Sequence, residues 1–305
     1  MMKKVTLSVL FACAIAAMFA QPKPIEGRWN LTITKDGKEL PSWLEVRHSG
    51  FNMLVGRFVY AFGSARPVSE VKWKDGVFSF SLPPQWEPGN QHLVFEGTVA
   101  GDQLKGTMTY TDGKTSAFIG QRAPSLQRAS APAWGEPMAL IGNDLTGWKA
   151  DGKNQWVVEN GVLRSPASGA NLFTEQKFAD FKLHVEFRYP KGSNSGVYLR
   201  GRYEVQISDG QGAQPQDDQF SGVYGFLEPN RAVAKAAGEW QTYDITLVGR
   251  TVTVVANGVT VICEQVIPGI TGGALDSREG EPGPILLQGD HGPIEFRNMI
   301  ITPAK

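Results

Sequence analysis

Hydrophobic and polar residues alternate with a period of two along much of this chain, which is the pattern of β-strands that bury one face. Residues 25–122 hold about eight such runs, separated by turn signals such as Asp36-Gly37 and Asp112-Gly113. Similar runs recur across residues 136–305, where Asn257-Gly258 is the strongest short hairpin signal. Few windows have a helical period, so the pattern predicts an all-β protein.

The alternation divides the chain into two modules. Residues 25–122 resemble, in pattern only, a small up-and-down β-barrel of the lipocalin or avidin kind. Residues 123–135 have neither period and are rich in Pro, Ser and Ala, which is typical of a linker. Residues 136–305 predict a two-sheet β-sandwich or jelly roll. We expect the first module to be an accessory that docks on the second; a ligand-binding barrel is the alternative.

The segment from Asn194 to Ile207 is the most informative part of the second module. It predicts a hairpin with an apolar face of Val197, Leu199, Val205 and Ile207 and a polar face of Tyr198, Arg200, Glu204 and Gln206. A two-residue turn would place Glu204 opposite Leu199, whereas a three-residue loop pairs Arg200 with Glu204. We therefore predict the three-residue loop and an open polar face.

A second segment, from Phe181 to Arg188, alternates in the same way. Its polar side holds His184, Glu186 and Arg188. We expect this strand to join the hairpin, so that three strands share one polar face with charges of both signs. This face is the candidate active site.

The charge balance and the missing motifs exclude several classes of function. The 305 residues include 30 basic and 30 acidic side chains, so no net charge attracts nucleic acid or an anionic membrane. The sequence has no P-loop and no Gly-x-Gly-x-x-Gly turn, which argues against a nucleotide cofactor. It also lacks the Gly-x-Ser-x-Gly elbow, the His-Glu-x-x-His helix and the Glu-x-Asp-x-x-Glu strand of many sandwich-fold glucanases. An ordinary double-displacement glycosidase is therefore disfavoured.

Residues 1–20 predict a secretory signal peptide, since Lys3-Lys4 precedes an apolar run from Val5 to Ala20. The run is about four residues short of the roughly 20 that a membrane helix needs. We expect export to the periplasm or cell surface without a membrane span. Lipidation at Cys13 is less favoured, because the apolar run continues past it.

Several motifs of the second module occur in a recognisable order. They are Leu145-Thr146-Gly147-Trp148, Asn160-Gly161-Val162-Leu163, Asn194 to Arg200, Tyr203 to Ile207, Gly238 to Ile245, Gln288 to Gly292 and Phe296-Arg297-Asn298. Together they resemble the 3-keto-disaccharide hydrolase family, a concanavalin-like sandwich domain. The resemblance implies a bacterial, usually exported domain that cleaves glycosides whose sugar a separate oxidoreductase has oxidised at C3. That oxidoreductase is therefore an expected partner.

Two positions depart from the pattern of that family. Leu140-Ile141 stands where the family usually has Leu-Phe, and Gly289 is inserted before Asp290-His291. The insertion is expected to shift the direction of His291.

A 3-keto glycoside has an acidified proton on C2, so the bond at C1 can break by β-elimination instead of through an oxocarbenium ion. Such a reaction needs a base, an enolate stabiliser and an acid for the leaving group. Glu204 is the leading carboxylate, as a base or a metal ligand, and pairing with Arg200 should keep it ionised unless burial intervenes. An exposed cross-strand ion pair is the alternative for these two residues.

His291 follows an apolar strand in a loop, where an imidazole suits the role of acid, base or metal ligand; a surface histidine is the alternative. Asp209 is the third expected ligand, with Glu204 and His291, of a divalent metal ion as candidate cofactor.

The other candidates are substrate-binding side chains with types suited to a sugar. The amides expected to bind hydroxyl groups are Asn194, Gln206 and Gln288. The aromatic rings expected to stack on the sugar are Tyr198, Tyr224 and Trp240. The cations expected at the pocket are Arg200 and Lys235. A non-catalytic carbohydrate-binding protein of the cell envelope would need the amides and rings but neither Glu204 nor His291. It remains the alternative function, with an envelope scaffold as a third reading.

Overall fold

A computed structural model describes residues 23–305 and confirms the all-β prediction. The predicted signal peptide lies outside the described residues. Within residues 23–305 there is no helix, and hence none long and apolar enough to cross a membrane.

Twenty-two strands make up the described chain. They are β1 (Gly27–Lys35), β2 (Lys38–Ser49), β3 (Met53–Val59), β4 (Arg66–Val68), β5 (Lys72–Lys74), β6 (Val77–Leu82), β7 (Leu93–Ala100), β8 (Gln103–Thr109), β9 (Thr115–Arg122), β10 (Met138–Ala139), β11 (Trp148–Ala150), β12 (Val157–Glu159), β13 (Val162–Ser165), β14 (Leu172–Thr174), β15 (Phe181–Arg188), β16 (Asn194–Leu199), β17 (Tyr203–Ser208), β18 (Gln241–Val248), β19 (Thr251–Ala256), β20 (Val259–Val266), β21 (Leu286–Leu287) and β22 (Ile294–Pro303).

The first nine strands form one antiparallel sheet, which we call the first sheet. Its order is β4-β3-β2-β1-β9-β8-β7-β6-β5, so β1 and β9 pair at its centre and the other neighbours are consecutive in the chain. Its buried face holds a cluster of aromatic rings, in which Phe80 stacks on Phe95 with ring centroids 4.5 Å apart. No pairing joins β4 to β5 in the described part of the chain, so closure into a barrel stays a prediction.

Strands β10 to β22 form two sheets that pack face to face, which we call the sandwich. One sheet has the order β12-β13-β22-β15-β18-β19-β20, with β10 also paired to β22; the other has the order β11-β14-β21-β16-β17. The larger hydrophobic core lies between them. The predicted sandwich is thereby confirmed. Asn257 and Gly258 form the predicted two-residue turn between β19 and β20, with φ angles of 49° and 80°.

The predicted linker, residues 123–135, follows the surface of the sandwich. The buried Arg250 donates hydrogen bonds to the carbonyls of Pro124 and Ser125 at 2.9 and 3.1 Å, and Arg128 pairs with Asp180 at 2.6 Å. The segment is therefore fixed to the second half of the chain by charged side chains. The division of the chain into two domains at this segment stays a prediction.

Two buried side chains of the first sheet, Trp43 of β2 and Val59 of β3, belong to the core of the sandwich. Trp43 of β2 is completely buried, belongs to the larger core and meets Phe226 edge-on with centroids 5.2 Å apart. A Cβ on Gly269 would lie 2.1 Å from Trp43 Nε1, so the indole packs directly on the backbone there. The core of the sandwich therefore extends onto the first sheet, whose own aromatic cluster is a separate core.

A buried carboxylate adds polar contacts to this interface. Glu279 is fully buried and accepts hydrogen bonds from Asn30 Nδ2 of β1 at 3.2 Å and from Tyr203 Oη of β17 at 2.7 Å. The guanidinium of Arg250 lies 3.7 Å from the same carboxylate. Because a buried charge is costly unless it is paired, these contacts favour one relative placement of the two halves.

We predict that Trp43→Ala lowers the free energy of unfolding by about 3 to 5 kcal/mol, because a large buried ring leaves a cavity at the shared core. Urea unfolding followed by tyrosine fluorescence and circular dichroism measures the change. The control is Phe51→Ala, which removes a ring that is 77% exposed in the turn between β2 and β3 and should cost less than about 0.5 kcal/mol. Equal stabilities of the two variants would contradict the proposed docking.

Candidate functional site around Glu204

The hairpin of β16 and β17 has the predicted three-residue loop but a different register. Residues 200–202 form the loop, and Leu199 pairs with Tyr203, Tyr198 with Glu204 and Val197 with Val205. The predicted pairing of Arg200 with Glu204 is therefore wrong by two positions. A shift of two keeps every side chain on its face, because the side-chain period of a strand is two. Tyr198 thus takes the place opposite Glu204.

Arg200 does not join the polar face, which corrects its assignment to substrate binding. Its φ of 53° is left-handed and ends the alternation of β16. The side chain is 1% exposed, and Nη2 donates hydrogen bonds to Tyr203 Oη at 2.8 Å and to the Gly249 carbonyl at 2.9 Å. Arg200 therefore has a structural role beneath the hairpin.

The polar side of β15 does not join the hairpin either. β15 pairs with β18 and β22 in the other sheet, where His184 Nδ1 lies 2.7 Å from Asp244 and Arg297 Nε donates to Glu186 at 2.7 Å. The expected three-stranded polar face is therefore wrong. Alternation identifies the solvent side of each strand correctly, but it contains no information on which sheet the strand joins.

The neighbours of the hairpin are β21 on one side and residues 221–224 on the other. The Tyr224 N–H donates to the Glu204 carbonyl at 3.0 Å, and the Gln288 N–H donates to the Gly196 carbonyl at 3.0 Å. Two rows of side chains result on the outer side of the sheet. One row holds Tyr224, Glu204 and Tyr198, and the other holds Gly222, Gln206, Gly196 and Gln288. We call these two rows the Glu204 face.

Gly196 determines where the Glu204 carboxyl lies. A Cβ on Gly196 would lie 2.3 Å from Glu204 Oε1, so the carboxyl rests directly on the glycine backbone. Sequence analysis did not single out Gly196 as a site residue. The signal that was available is a glycine inside a strand, which often marks a close approach.

The Glu204 carboxyl is buried, which corrects the prediction of an open polar face, and it has no cationic partner in direct contact among the described residues. It is 3% exposed, and Oε2 accepts a hydrogen bond from Tyr198 Oη at 2.8 Å. Burial raises the pKa of the Glu204 carboxyl to about 8; the Tyr198 hydrogen bond and the charge of His291 oppose this shift, and the charge of Asp290 adds to it. The neutral acid therefore predominates at pH 7: burial intervenes, and the Arg200 pairing that was expected to keep Glu204 ionised does not exist.

Tyr198 has a different role from the predicted one. It is 2% exposed, so its ring is not available to stack on a sugar. Burial raises the pKa of its hydroxyl well above 10, so the hydroxyl stays protonated and donates to Glu204. Tyr198 is therefore a positioning residue for the carboxyl.

His291 lies at the edge of the Glu204 face, in the loop that follows β21. Its Nδ1 is 2.5 Å from Asp290 Oδ1, and its side chain is about half exposed at 53%. The hydrogen bond with Asp290 raises the pKa of His291; partial burial opposes the shift, and the charges of Asp290 and Glu204 add to it. The inserted Gly289 is packed against Ala170, whose carbonyl oxygen would lie 2.2 Å from a Cβ there.

Two amide oxygens on the Glu204 face have no hydrogen-bond partner among the described residues. They are Oε1 of Gln206 and Oε1 of Gln288, both buried. Gln206 is 3% exposed, and its Nε2 donates to the Asp218 carbonyl at 3.2 Å, which fixes the direction of the amide. Because an unpaired buried acceptor costs about 1 to 3 kcal/mol, these oxygens are suited to accept hydrogen bonds from ligand hydroxyls.

The other predicted site residues lie farther away or elsewhere. Asn194 lies one row beyond Gly196 on the same side of the hairpin, where it pairs with Ser208. Lys235 Nζ donates to the Trp240 carbonyl at 2.9 Å, and the Trp240 ring lies 3.9 Å from the guanidinium of Arg297, a residue of β22 in the other sheet. Lys235 and Trp240 are therefore not part of the Glu204 face, which corrects the sequence prediction.

The predicted metal ligands do not form a coordination site. The Asp209 carboxylate accepts the Gly192 N–H at 2.9 Å, and residues 23–305 contain no group of three or more His, Cys, Asp and Glu side chains placed to hold a metal ion. The described residues therefore do not bring Glu204, Asp209 and His291 together as a donor set for a metal ion.

Comparison with known proteins gives matches to the second half of the chain. Residues 136–302 match a family model described as the 3-keto-alpha-glucoside-1,2-lyase-like domain. A curated relative, the 3-keto-disaccharide hydrolase of Bacteroides thetaiotaomicron, is 30% identical in an 84-residue alignment that covers 23% of this chain and 29% of the relative.

Two solved structures are similar to part of this chain. A Parabacteroides distasonis protein, provisionally named a glycosyl hydrolase, is 31% identical with a TM-score of 0.47, over 54% of this chain and 82% of its own. The carbohydrate-binding module CBM66 from Bacillus subtilis is 11% identical with a TM-score of 0.36, over 52% of this chain and 97% of its own.

We predict that Glu204→Gln removes a pH-dependent loss of stability. The folded protein keeps the Glu204 proton between pH 4.5 and about 8, whereas the unfolded chain releases it, so this stabilising term is full below pH 4.5 and lost as pH rises to about 8. The pKa difference corresponds to at most about 5 kcal/mol. Urea unfolding at several pH values should show wild type losing about 3 to 5 kcal/mol relative to the variant over this window.

The exposed Glu136→Gln serves as the matched control for this measurement. It should follow wild type at every pH. A constant difference between wild type and Glu204→Gln across the window would show that the carboxyl is not desolvated.

Proposed function

Because this chain belongs to the family of 3-keto-alpha-glucoside-1,2-lyase-like domains, which match its residues 136–302, we propose that it cleaves the glycosidic bond of 3-keto glycosides by elimination and hydration. The observation that supports this proposal is the buried Glu204 carboxyl, which rests on the Gly196 backbone and has a pKa of about 8. It also interacts electrostatically with the His291 imidazole. The chemistry of such a substrate requires one group that takes a proton and one that gives a proton.

Glu204 is the proposed base for the C2 proton. Its conjugate acid has a pKa of about 8, against an ordinary 4.5, so the carboxylate form is a much stronger base than a solvated glutamate. The pair of electrons from the C2–H bond forms the enolate of the C3 ketone. When the enolate collapses, the C1–C2 double bond forms, the C3 carbonyl is restored and the C1–O bond breaks.

His291 is the proposed acid for the departing oxygen. Asp290 holds Nδ1 at 2.5 Å and favours the imidazolium form, which leaves Nε2 free to give a proton to the leaving group. Water then adds at C1 and a proton returns to C2, which gives the free 3-keto sugar and completes a net hydrolysis. Glu204 in its protonated form is placed to return that proton.

Gln206 and Gln288 are proposed to orient the sugar. Their unpartnered Oε1 atoms lie on either side of Gly196, in the row next to Glu204, where each can accept a hydrogen bond from a hydroxyl of the ring. The free energy lost by desolvating these two acceptors is recovered only when a ligand donates hydrogen bonds to them. This favours a substrate with several hydroxyl groups.

We further propose that the protein is exported and that a separate sugar 3-oxidoreductase produces its substrate. The first part is supported by the signal-like pattern of residues 1–20. The second follows from the chemistry, because a C3 ketone must be present before the C2 proton is acidic enough to remove.

The decisive test is turnover of a 3-keto glycoside by the purified protein. Wild type should release the leaving-group alcohol; Glu204→Gln should lower kcat by at least about 1000-fold and His291→Ala by about 100-fold, with affinity within threefold of wild type. His184→Ala, a histidine in the other sheet, is the control and should retain full activity. Binding without turnover by wild type would instead indicate a carbohydrate-binding protein.

We predict that Gly196→Ala impairs turnover without unfolding the protein. The added methyl would lie 2.3 Å from Glu204 Oε1, so the carboxyl must move off the glycine, and kcat should fall by about 100-fold. The control is Gly142→Ala, where a Cβ meets no atom within 4 Å and φ is not positive. Full activity of Gly196→Ala would show that the contact of the Glu204 carboxyl with the Gly196 backbone is not needed for turnover.

A further inference from the structure

One loop of the first sheet reaches the Glu204 face. Residues 61–65, which follow β3, contact the sandwich at three glycines. The Gly273 N–H donates to the Ala61 carbonyl at 2.8 Å, a Cβ on Gly272 would lie 2.4 Å from the Gly63 oxygen, and a Cβ on Gly225 would lie 2.8 Å from the Ala65 nitrogen. The sandwich thus presents bare backbone where this loop arrives.

The contacted glycines are directly connected to Glu204. Tyr198 Oη lies 3.2 Å from the Gly272 carbonyl, as its second partner beside the Glu204 carboxyl. Gly225 follows Tyr224, which occupies the same row as Glu204, and a Cβ on Gly225 would lie 2.8 Å from the Ser64 Cα. Loop 61–65 therefore borders the row of Tyr224, Glu204 and Tyr198 on the side opposite to Gln206 and Gln288.

Two large aromatic side chains are exposed at this border. Phe62 is 51% exposed and meets Tyr60 with centroids 5.1 Å apart. Trp86, in the loop between β6 and β7, is 65% exposed and lies against Gly63, where a Cβ would be 2.8 Å from Trp86 Nε1. Exposed aromatic rings on one loop region beside a polar site are typical of a ligand-binding surface.

The loop that holds Trp86 is fixed by a buried ion pair. Arg66 of β4 is 8% exposed and its Nη2 donates to Glu87 Oε1 at 3.0 Å. Glu87 Oε2 accepts the backbone N–H groups of Gln85 and Trp86 at 2.8 and 3.2 Å. Because this pair is largely shielded from solvent, it holds the position of the indole before any ligand binds.

We propose that Phe62 and Trp86 form a subsite for a second pyranose ring, the unit on the leaving side of the glycosidic bond. This inference rests on the proposed function. The amides of Gln206 and Gln288 lie on one side of the Glu204 carboxyl, and the two aromatic rings border the other side. A disaccharide with its oxidised ring on the amides therefore extends its other ring toward the aromatic pair, and the first sheet selects for disaccharides over glycosides of small alcohols.

Binding can be measured without turnover in the Glu204→Gln protein, by calorimetry with a 3-keto disaccharide and with methyl 3-keto-glucoside. The affinity for the disaccharide divided by the affinity for the methyl glucoside reports the contribution of the second ring, and we call this quotient the ratio. We expect this ratio to fall about fivefold in Phe62→Ala or Trp86→Ala and about twentyfold in the double variant, as the stacking surface is lost. Phe62→Tyr should keep the ratio of the parent protein.

Phe51→Ala is the matched control. This exposed phenylalanine precedes β3, whereas loop 61–65 follows β3, so Phe51 and the loop lie at opposite ends of the same strand. It should leave the ratio unchanged. An unchanged ratio in the double variant, or an equal loss of affinity for both sugars, would overturn the subsite.

Turnover by the otherwise wild-type enzyme separates failure of this inference from failure of the proposed function. If wild type cleaves neither compound but the double variant still lowers the ratio, the proposed reaction is wrong and the subsite stands. If wild type cleaves both and the ratio is unchanged, the subsite alone is wrong. Absence of binding of either sugar to Glu204→Gln overturns both.

Discussion

Desolvation of the Glu204 carboxyl is the constraint on which the candidate site depends. The carboxyl lies on the backbone of Gly196, accepts one hydrogen bond from Tyr198 and is 3% exposed. The two nearest arginines in sequence bond elsewhere, Arg202 to Asp276 and Arg200 to Tyr203 and the Gly249 carbonyl, so no guanidinium offsets the burial. A carboxyl in this environment exchanges its proton near neutral pH, which is the property that removal and return of a carbon-bound proton require.

Side-chain alternation was sufficient to predict the all-β class and the grouping of Tyr198, Glu204 and Gln206 on one side of the hairpin. The grouping survived an error of two positions in register because such a shift exchanges no faces. Arg200 was misplaced because its left-handed backbone interrupts the alternation. Trp240 and the polar side of β15 were misplaced because strand periodicity does not specify which of two sheets a segment joins.

Features of the site that depend on distant contacts left almost no trace in the sequence. Gly196 is one glycine of many, and its importance follows from the carboxyl that lies on it. The approach of residues 61–65 to Gly272 joins positions more than 200 residues apart in the chain. Neither the period of the strands nor the turn residues encode such an approach, since it results from how whole sheets pack.

The buried Glu279 has a consequence for how this chain can be dissected. Its carboxylate is shared between Asn30 in the first sheet and Tyr203, the residue next to Glu204. A fragment that begins after the linker would retain Glu279 but lose the Asn30 amide that donates to it. It would also expose Gly269, which Trp43 covers, to solvent. Truncation would therefore perturb the strand that bears Glu204. Fusing the sandwich to another protein would require redesign of the surface at Gly269 that Trp43 covers.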